Sequence, residues 1–326
     1  MRGLVTVFGG SGFVGAQVVR ALAKRGARVR VAVRNPGRGY RLRMLGDVGQ
    51  IEVVQANIRE PSSVSRALEG AEACVNAVAV LYESGRQTFE ALHVAGARLI
   101  AKTAAAQGVQ GFIHISAIGA SADSPAAYAR TKAAGEVAVR EVIPGAVILR
   151  PSVIFGPEDA FFNRFAAMAG LSPALPLIGG GSTRFQPVYV GDVAQAVAAA
   201  LAMPETEGRT FELGGPQVYS FRDLMVLMLA VIQRRRILAP IPFPIATLLG
   251  RAGDLAAALG APPPISTDQV ALLRSDNIVD PSASGLAELG VTPSPLEPIL
   301  PTYLYVYRPG GQYAERELNA PVLPPA

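Results

Sequence analysis

The sequence predicts an α/β fold, a doubly wound parallel sheet followed by a smaller mixed C-terminal lobe. Three observations predict it. Short apolar runs alternate with helical stretches through the first 150 residues, a glycine-rich turn follows the first run at once, and the rhythm loosens beyond Pro151. Strands alternating with helices favour a mainly parallel sheet covered on both faces. The expected organisation is a dinucleotide-type core over 1–150, a smaller lobe over 151–302 with some elements returning to the core, and an extended tail over 303–326 that is either partner-binding or flexible.

The elements follow in order. Leu4 to Phe8 is an apolar run that reads as a strand, and the helical pattern of Val18, Val19 and Leu22 runs on to Lys24. Val29, Val31 and Val33 alternate with Arg28, Arg30 and Ala32, which is the period of a second strand. Ile51–Gln55 reads as a third strand. A helix begins at Pro61, a residue suited to a first helical turn. Ala73–Ala77 is a fourth strand, Arg86–Gln107 is mainly helical, and Phe112–Ile115 is a fifth strand. A helix over Ala126–Val142 and a strand over Val147–Arg150 complete the core. Beyond it, helices are expected over Phe161–Met168, Asp192–Leu201 and Phe221–Gln233. Arg184–Val190 and Arg209–Leu213 read as extended.

Composition narrows the function classes. Apolar residues make up 50% of the 326 and charged residues 17%. Gly, Pro or Arg interrupts the apolar runs, so no run of about 20 residues is expected to span a bilayer. The net charge of +5 is modest. With no nucleic-acid-binding motif or aromatic platform, no nucleic-acid partner is expected. Cys74 is the only cysteine, so no disulfide can form within the chain, and it falls in a core strand as an inert thiol. His93 and His114 are the only histidines, and no metal site is expected. The chain runs straight into a strand at Leu4, so no secretory leader is expected.

The chemistry starts at the first turn. Gly9, Gly10, Ser11, Gly12, Phe13, Val14 and Gly15 join a strand to a helix. Gly9 permits the turn, Gly12 lets backbone approach a pyrophosphate, and Gly15 lets the helix pack close to the strand. This is the turn of a Rossmann-type dinucleotide site, with amides at the helix start facing phosphate oxygens. At the end of the second strand Arg34 stands where sites for NADH often carry a carboxylate. Asn35, Arg38 and Arg41 add polar or basic groups. Arg34 pairing with a 2′-phosphate favours NADPH over NADH, and a solvated strand-end arginine is the plain alternative. Asn57 and Ile58 follow the third strand at the adenine end. Asn76, Ala77 and Val78 follow the fourth and line the middle of the cofactor. Both asparagines have a second reading, satisfying backbone groups in their own loops.

Tyr128 and Lys132 form a YxxxK pair four residues apart on one helix face. In a reductase the tyrosine hydroxyl passes a proton to a carbonyl while the lysine holds the nicotinamide ribose. Ser116 is the nearest hydroxyl in FIHISAIG. Ala117 stands where a substrate-polarising serine is expected. The cofactor site therefore reads as intact and the substrate chemistry as incomplete.

These residues resemble the extended and atypical branches of the short-chain dehydrogenase/reductase family. Three stretches, YARTKAAGE from Tyr128, RPSVIFGPEDAFFNRFAAM from Arg150 and FQPVYVGDVAQAV from Phe185, look most like the nucleotide-binding accessory subunits of respiratory complex I. That resemblance covers Gly3 to Arg235. It implies a tightly bound NADPH with a structural role, beside peripheral-arm and membrane-arm subunits near the quinone site. It places the phosphates on Gly9, Gly12 and Gly15, the 2′-phosphate on Arg34, and the ribose on Tyr128 and Lys132. Pro151, Ser152 and Val153 join the cofactor-binding set. Asn57 replaces an aspartate common in related reductases. The implied location is peripheral, on the cytoplasmic face of a bacterial inner membrane, or the matrix side if mitochondrial.

Arg234, Arg235 and Arg236 precede a proline-punctuated apolar stretch and a helix over Ala246–Leu259. Two readings stand for this run: contact with anionic lipid or an acidic protein, and a solvated helix end. Pro262, Pro263 and Pro264 form a stiff loop. Tyr303, Tyr305 and Tyr307 alternate, which reads either as partner contacts or as a short strand. Three functions remain in view: a non-catalytic accessory subunit, a free NADP-dependent oxidoreductase or epimerase, and a redox-sensing regulator.

Overall fold

The computed structural model describes residues 3–258, 261 and 263–313. Leu259, Pro262 and the tail from Ala314 to Ala326 lie outside the described residues. The first half runs β1 (Leu4–Phe8), α1 (Phe13–Lys24), β2 (Arg28–Val33), β3 (Ile51–Gln55), α2 (Pro61–Leu68) and β4 (Ala73–Asn76). A π-helical turn (Glu90–Ala95) then enters α3 (Gly96–Ala106), followed by β5 (Gly111–Ile115), α4 (Ala127–Arg140) and β6 (Val147–Pro151). The second half runs β7 (Ile154–Phe155), α5 (Phe162–Leu171), β8 (Ala174–Ile178), β9 (Arg184–Phe185), β10 (Val188–Tyr189), α6 (Val190–Ala200), β11 (Thr210–Leu213), β12 (Tyr219–Ser220) and α7 (Phe221–Val231). It closes with β13 (Ile237–Ile241), α8 (Phe243–Ala258), α9 (Thr267–Leu272) and α10 (Pro301–Leu304).

Seven parallel strands make the main sheet in the order β11-β6-β5-β4-β1-β2-β3. The order reverses between β1 and β4, and the crevice beyond their carboxyl ends is where such folds bind ligands. The pleat sends alternate side chains to opposite faces. Val5, Val7, Val29, Val31 and Val33 pack with Val18, Val19 and Leu22 of α1 and with Val193 and Val197 of α6. Phe8, Ala32, Cys74 and Phe112 face the other way, onto Leu68 of α2 and Ile100 and Ala104 of α3. Burial pushes the Cys74 thiol far above its ordinary range, so it stays protonated.

The smaller lobe has its own aromatic core, with Phe155, Phe162, Phe185 and Phe221 packed beside Leu224, Met228 and Leu304. Three two-stranded sheets frame it: β10-β7, β12-β9 and β13-β8. β11 returns to the main sheet beside β6, and α6 covers α1, so the chain re-enters the core after residue 151. The tyrosine alternation of 303–307 is not a strand. It closes in helical turns, α10 and a 3-10 turn over Tyr305–Tyr307. Pro301 starts α10, the Tyr303 hydroxyl donates to Asp159 at 2.6 Å, and the Tyr307 hydroxyl donates to Asn163 at 3.1 Å. Tyr303, Leu304, Tyr307 and Arg308 are therefore held on the lobe.

Candidate functional site

The glycine turn sits at the switch point. Gly9 has a φ of +76°, and a Cβ there would meet the Ala77 carbonyl oxygen at 2.9 Å. The turn closes through Gly12 N, which donates to Gly9 O at 2.9 Å. At Gly15 a Cβ would meet Gly9 O at 2.2 Å and Gly10 Cα at 2.7 Å. Helix and turn thus touch backbone to backbone, which only glycine allows. The N-cap of α1 is Gly12, which offers no side-chain acceptor, and the first turn holds no carboxylate. Ser11, Phe13 and Val14 complete this start. Its amides and the positive end of the helix dipole are left for an anion, so the turn fits a pyrophosphate.

Basic groups stand beside the glycine turn. A cavity of about 410 Å³ opens between Ser11, Gly37, Arg38 and Arg41. Arg34 is exposed at the end of β2, and its guanidinium donates to Gln87 Oε1 at 2.7 Å. Arg41 pairs with Glu158 at 3.2 Å, reaching from the core to the lobe. The Asn35 side chain accepts from Gly37 N and starts the turn that holds Arg38. Asn57 Oδ1 accepts from the amide and the guanidinium of Arg59, an Asx-type turn in its own loop. Ile58 is buried in the core facing α3.

Behind the switch point lies a buried polar group that the sequence reading did not assemble. Asn76 Oδ1 accepts from Val78 N, and its amide faces His114 Nδ1 at 3.1 Å. That contact places the His114 proton on Nε2, which is buried with no protein partner among the described residues. His93, on the π-helical turn, accepts from Val80 N through Nε2 and faces Thr131 Oγ1 through Nδ1. Burial, aided by the Lys132 charge, pulls His93 down to about 3 and holds His114 well below its usual range. Both rings are neutral near pH 7.

Tyr128 and Lys132 share α4 but do different things. The Tyr128 ring packs edge-on against Phe89 and His93, with centroids 5.9 and 5.4 Å away. Lys132 is buried, and its amino group donates to the Ile115 carbonyl at 2.7 Å. Burial lowers the Lys132 pKa to about 8, against the opposing pull of Glu136. Burial, then the charge of Asp268, pushes the Tyr128 hydroxyl up to about 12. Asp268 comes from α9 in the lobe. It caps α4 across the chain, accepting from Ala127 N at 2.5 Å and Tyr128 N at 3.0 Å. Glu136 holds α4 to the sheet through a two-pronged pair with Arg150 of β6, at 2.9 and 2.7 Å. The Ser116 hydroxyl is buried with no protein partner among the described residues, and Ala117 follows it half-buried. An unpartnered buried hydroxyl beside the Tyr–Lys helix suits a polar ligand group.

Pro151 is the last residue of β6 and is buried. Ser152 and Val153 are engaged from within. The Ser152 hydroxyl donates to Asn277 Oδ1 at 2.7 Å, and Val153 N donates to the same oxygen at 3.0 Å. Sequence reasoning also missed Asn277 and Asp268. Neither sits in a motif or a periodic face. A capping box from Ser266 to Gln269 marks the start of α9, but not what Asp268 touches.

A family model matches most of the chain. Residues 5–214 fit the NAD dependent epimerase/dehydratase family. The chain belongs to that family. It is also 35% identical over 316 residues to the mitochondrial NADH dehydrogenase (ubiquinone) 1 alpha subcomplex subunit 9 of Arabidopsis thaliana, covering 94% of this chain and 79% of the relative. A ceramide reductase of Caulobacter vibrioides is 35% identical over 203 residues, 62% of each chain. Among solved structures, the Citrobacter triphenylmethane reductase complexed with NADP(H) superposes with a TM-score of 0.70 at 21% identity, covering 92% of this chain and 99% of that one. The likeness at that identity concerns the fold. Among the described residues no helix is long and apolar enough to cross a membrane.

Proposed function

We propose that this chain is an accessory subunit of a complex I-type NADH:quinone oxidoreductase that holds NADPH as a structural ligand and does not turn it over. Gly9 to Gly15 would hold the pyrophosphate, Arg34 and Arg38 the 2′-phosphate, and Asn76 to Val78 the middle of the cofactor. Ser116, Tyr128 and Lys132 would face the nicotinamide end. When bound, NADPH supplies hydride chemistry in enzymes; here the protein groups are set against using it. The observation that carries this reading is the state of the Tyr–Lys pair. Lys132 spends a hydrogen bond on the Ile115 carbonyl, while burial first and the negative charge of Asp268 second oppose ionising Tyr128. An acid–base pair for turnover needs the reverse, a cation favouring tyrosinate near working pH. The long match to the alpha subcomplex subunit supports the choice of partner. Its place would be peripheral, on the cytoplasmic face of a bacterial inner membrane or the matrix side of a mitochondrial one, near the quinone site. A ligand that binds only the folded chain stabilises it by mass action.

A second reading, a free NADP-dependent oxidoreductase, has one observation in its favour: Tyr128 and Lys132 are both present on α4 beside Ser116. Gentle purification from membranes followed by intact-complex mass spectrometry separates the two. Respiratory subunits with retained NADPH support the accessory reading. A free protein whose NADPH oxidation by a carbonyl substrate is abolished by Tyr128→Phe overturns it.

A further inference from the structure

The loop after β7 carries a strained acidic residue. Glu158 has a φ of +70°, a left-handed backbone that glycine usually fills and that costs energy with a side chain. Asp159 holds this turn from beneath. It is buried, its Oδ2 accepts from Gly156 N at 3.2 Å and from the Tyr303 hydroxyl at 2.6 Å, and its Oδ1 accepts from Asn163 N at 3.2 Å. The lobe thus fixes the backbone of Glu158 while leaving its side chain exposed.

That side chain reaches the core. Its two oxygens accept from the two terminal nitrogens of Arg41, at 3.2 and 3.3 Å, across 117 residues of sequence. Arg41 also lines the cavity beside the glycine turn, together with Ser11, Gly37 and Arg38. Two guanidinium groups on one cavity suit an oxyanion with several acceptor oxygens. The Glu158 carboxylate already occupies one of them. The pair is 55% exposed on the arginine side and 61% on the glutamate side, so water screens it and holds it weakly. A phosphate monoester carries about −1.5 to −2 charge at pH 7 and three acceptor oxygens. Between Arg38 and Arg41 it has the advantage over a single carboxylate.

We propose that Arg41 joins Arg38 on the 2′-phosphate of the nucleotide and that Glu158 sets the cofactor preference, as a built-in competitor which that phosphate displaces from Arg41. The inference rests on the NADPH reading above. NADH brings no 2′-phosphate, so the Arg41–Glu158 pair between core and lobe stays closed with NADH and opens with NADPH. The test is calorimetry of NADPH and NADH on the purified full chain. Wild type is expected to prefer NADPH. Glu158→Gln removes the competitor and should tighten NADPH about two- to fivefold, the worth of an exposed ion pair, with no gain for NADH. Arg41→Gln should weaken NADPH about tenfold, as a lost charge-assisted contact does, and so lower the preference for NADPH. In that background Glu158→Gln should add nothing. The double variant separates competition for Arg41 from a general loss of negative charge near the cleft, which would tighten NADPH with or without Arg41. Both side chains are exposed, so the variants should unfold with wild type when no nucleotide is present. A preference that neither single variant moves, or a Glu158→Gln gain that survives in the Arg41→Gln background, overturns the proposal and leaves NADPH binding standing. Wild type that binds neither nucleotide overturns both.

Discussion

Asp268→Ala removes the side chain that caps α4. The helix's own N-cap residue, Ala126, offers no acceptor, and two amides, Ala127 N and Tyr128 N, depend on the Asp268 carboxylate. Loss of a helix cap costs about 0.5–2 kcal/mol. A carboxylate at a helix N-terminus is worth about 0.3–1 kcal/mol when exposed and up to ~2 in partly buried geometry. The two overlap, so the alanine variant should lose roughly 1–3 kcal/mol in urea unfolding. Asp268→Asn keeps one oxygen acceptor and gives up the charge, so its loss should be about 1 kcal/mol. The same substitution has a spectroscopic consequence. The Asp268 charge opposes tyrosinate, so removing it should lower the pKa of Tyr128 from about 12. Absorbance titration of tyrosinate, with Tyr128→Phe subtracted, reads this one group. If both variants unfold with wild type and the Tyr128 titration does not move, the lobe does not cap the helix and the reasoning fails.

Three further outcomes are expected. Gly15→Ala places a methyl against Gly9 O and Gly10 Cα, which are backbone atoms that cannot step aside; nucleotide binding by calorimetry should disappear, with a stability loss of about 1–3 kcal/mol. Arg34→Glu with Arg38→Glu should weaken NADPH about 10–100-fold, the range for a lost charge-assisted contact, while NADH is nearly unaffected; equal losses for both would remove the 2′-phosphate assignment. His93 has a folded pKa near 3, below its unfolded value, so the unfolded chain binds the extra proton between about pH 6.5 and 3. Stability should fall as pH falls through that window, with a slope approaching 1.4 kcal/mol per pH unit for each such histidine. His93→Gln should flatten the slope, and a variant with the wild-type profile would show that His93 is not its source.

The core was legible because its residues obey two periods at once. Val29, Val31 and Val33 alternate, and Val18, Val19 and Leu22 recur with the helical turn, so each element declares the face it buries. The glycine turn was legible for a different reason: close approach admits only glycine at Gly9 and Gly15. The lobe was harder. β7, β9, β10 and β12 have two residues each, too short for any period to show. Tyr303, Tyr305 and Tyr307 carry the alternation of a strand, yet Pro301 and hydroxyl bonds to Asp159 and Asn163 fix helical turns. The site was legible to the level of motif. Its partners were not, because Asp268 reaches Tyr128 across 140 residues and Asn277 reaches Ser152 across 125. Contacts of that length leave no mark near either end. Nor could the spacing of Tyr128 and Lys132 say that the lysine would turn to a carbonyl.

The covering of α1 by α6 sets an order of events during synthesis. Val18, Val19 and Leu22 of α1 share one core with Val193 and Val197, which emerge from the ribosome long after them. At about 5–20 residues per second, that interval is on the order of ten seconds or more. During it the nascent chain holds the turn with one side of its helix bare, and β6 still lacks β11 beside it. Non-local contacts of this kind slow folding, because loop closure precedes any packing gain. A stalled chain of the first 150 residues is therefore expected to expose valines to chaperones rather than to capture nucleotide.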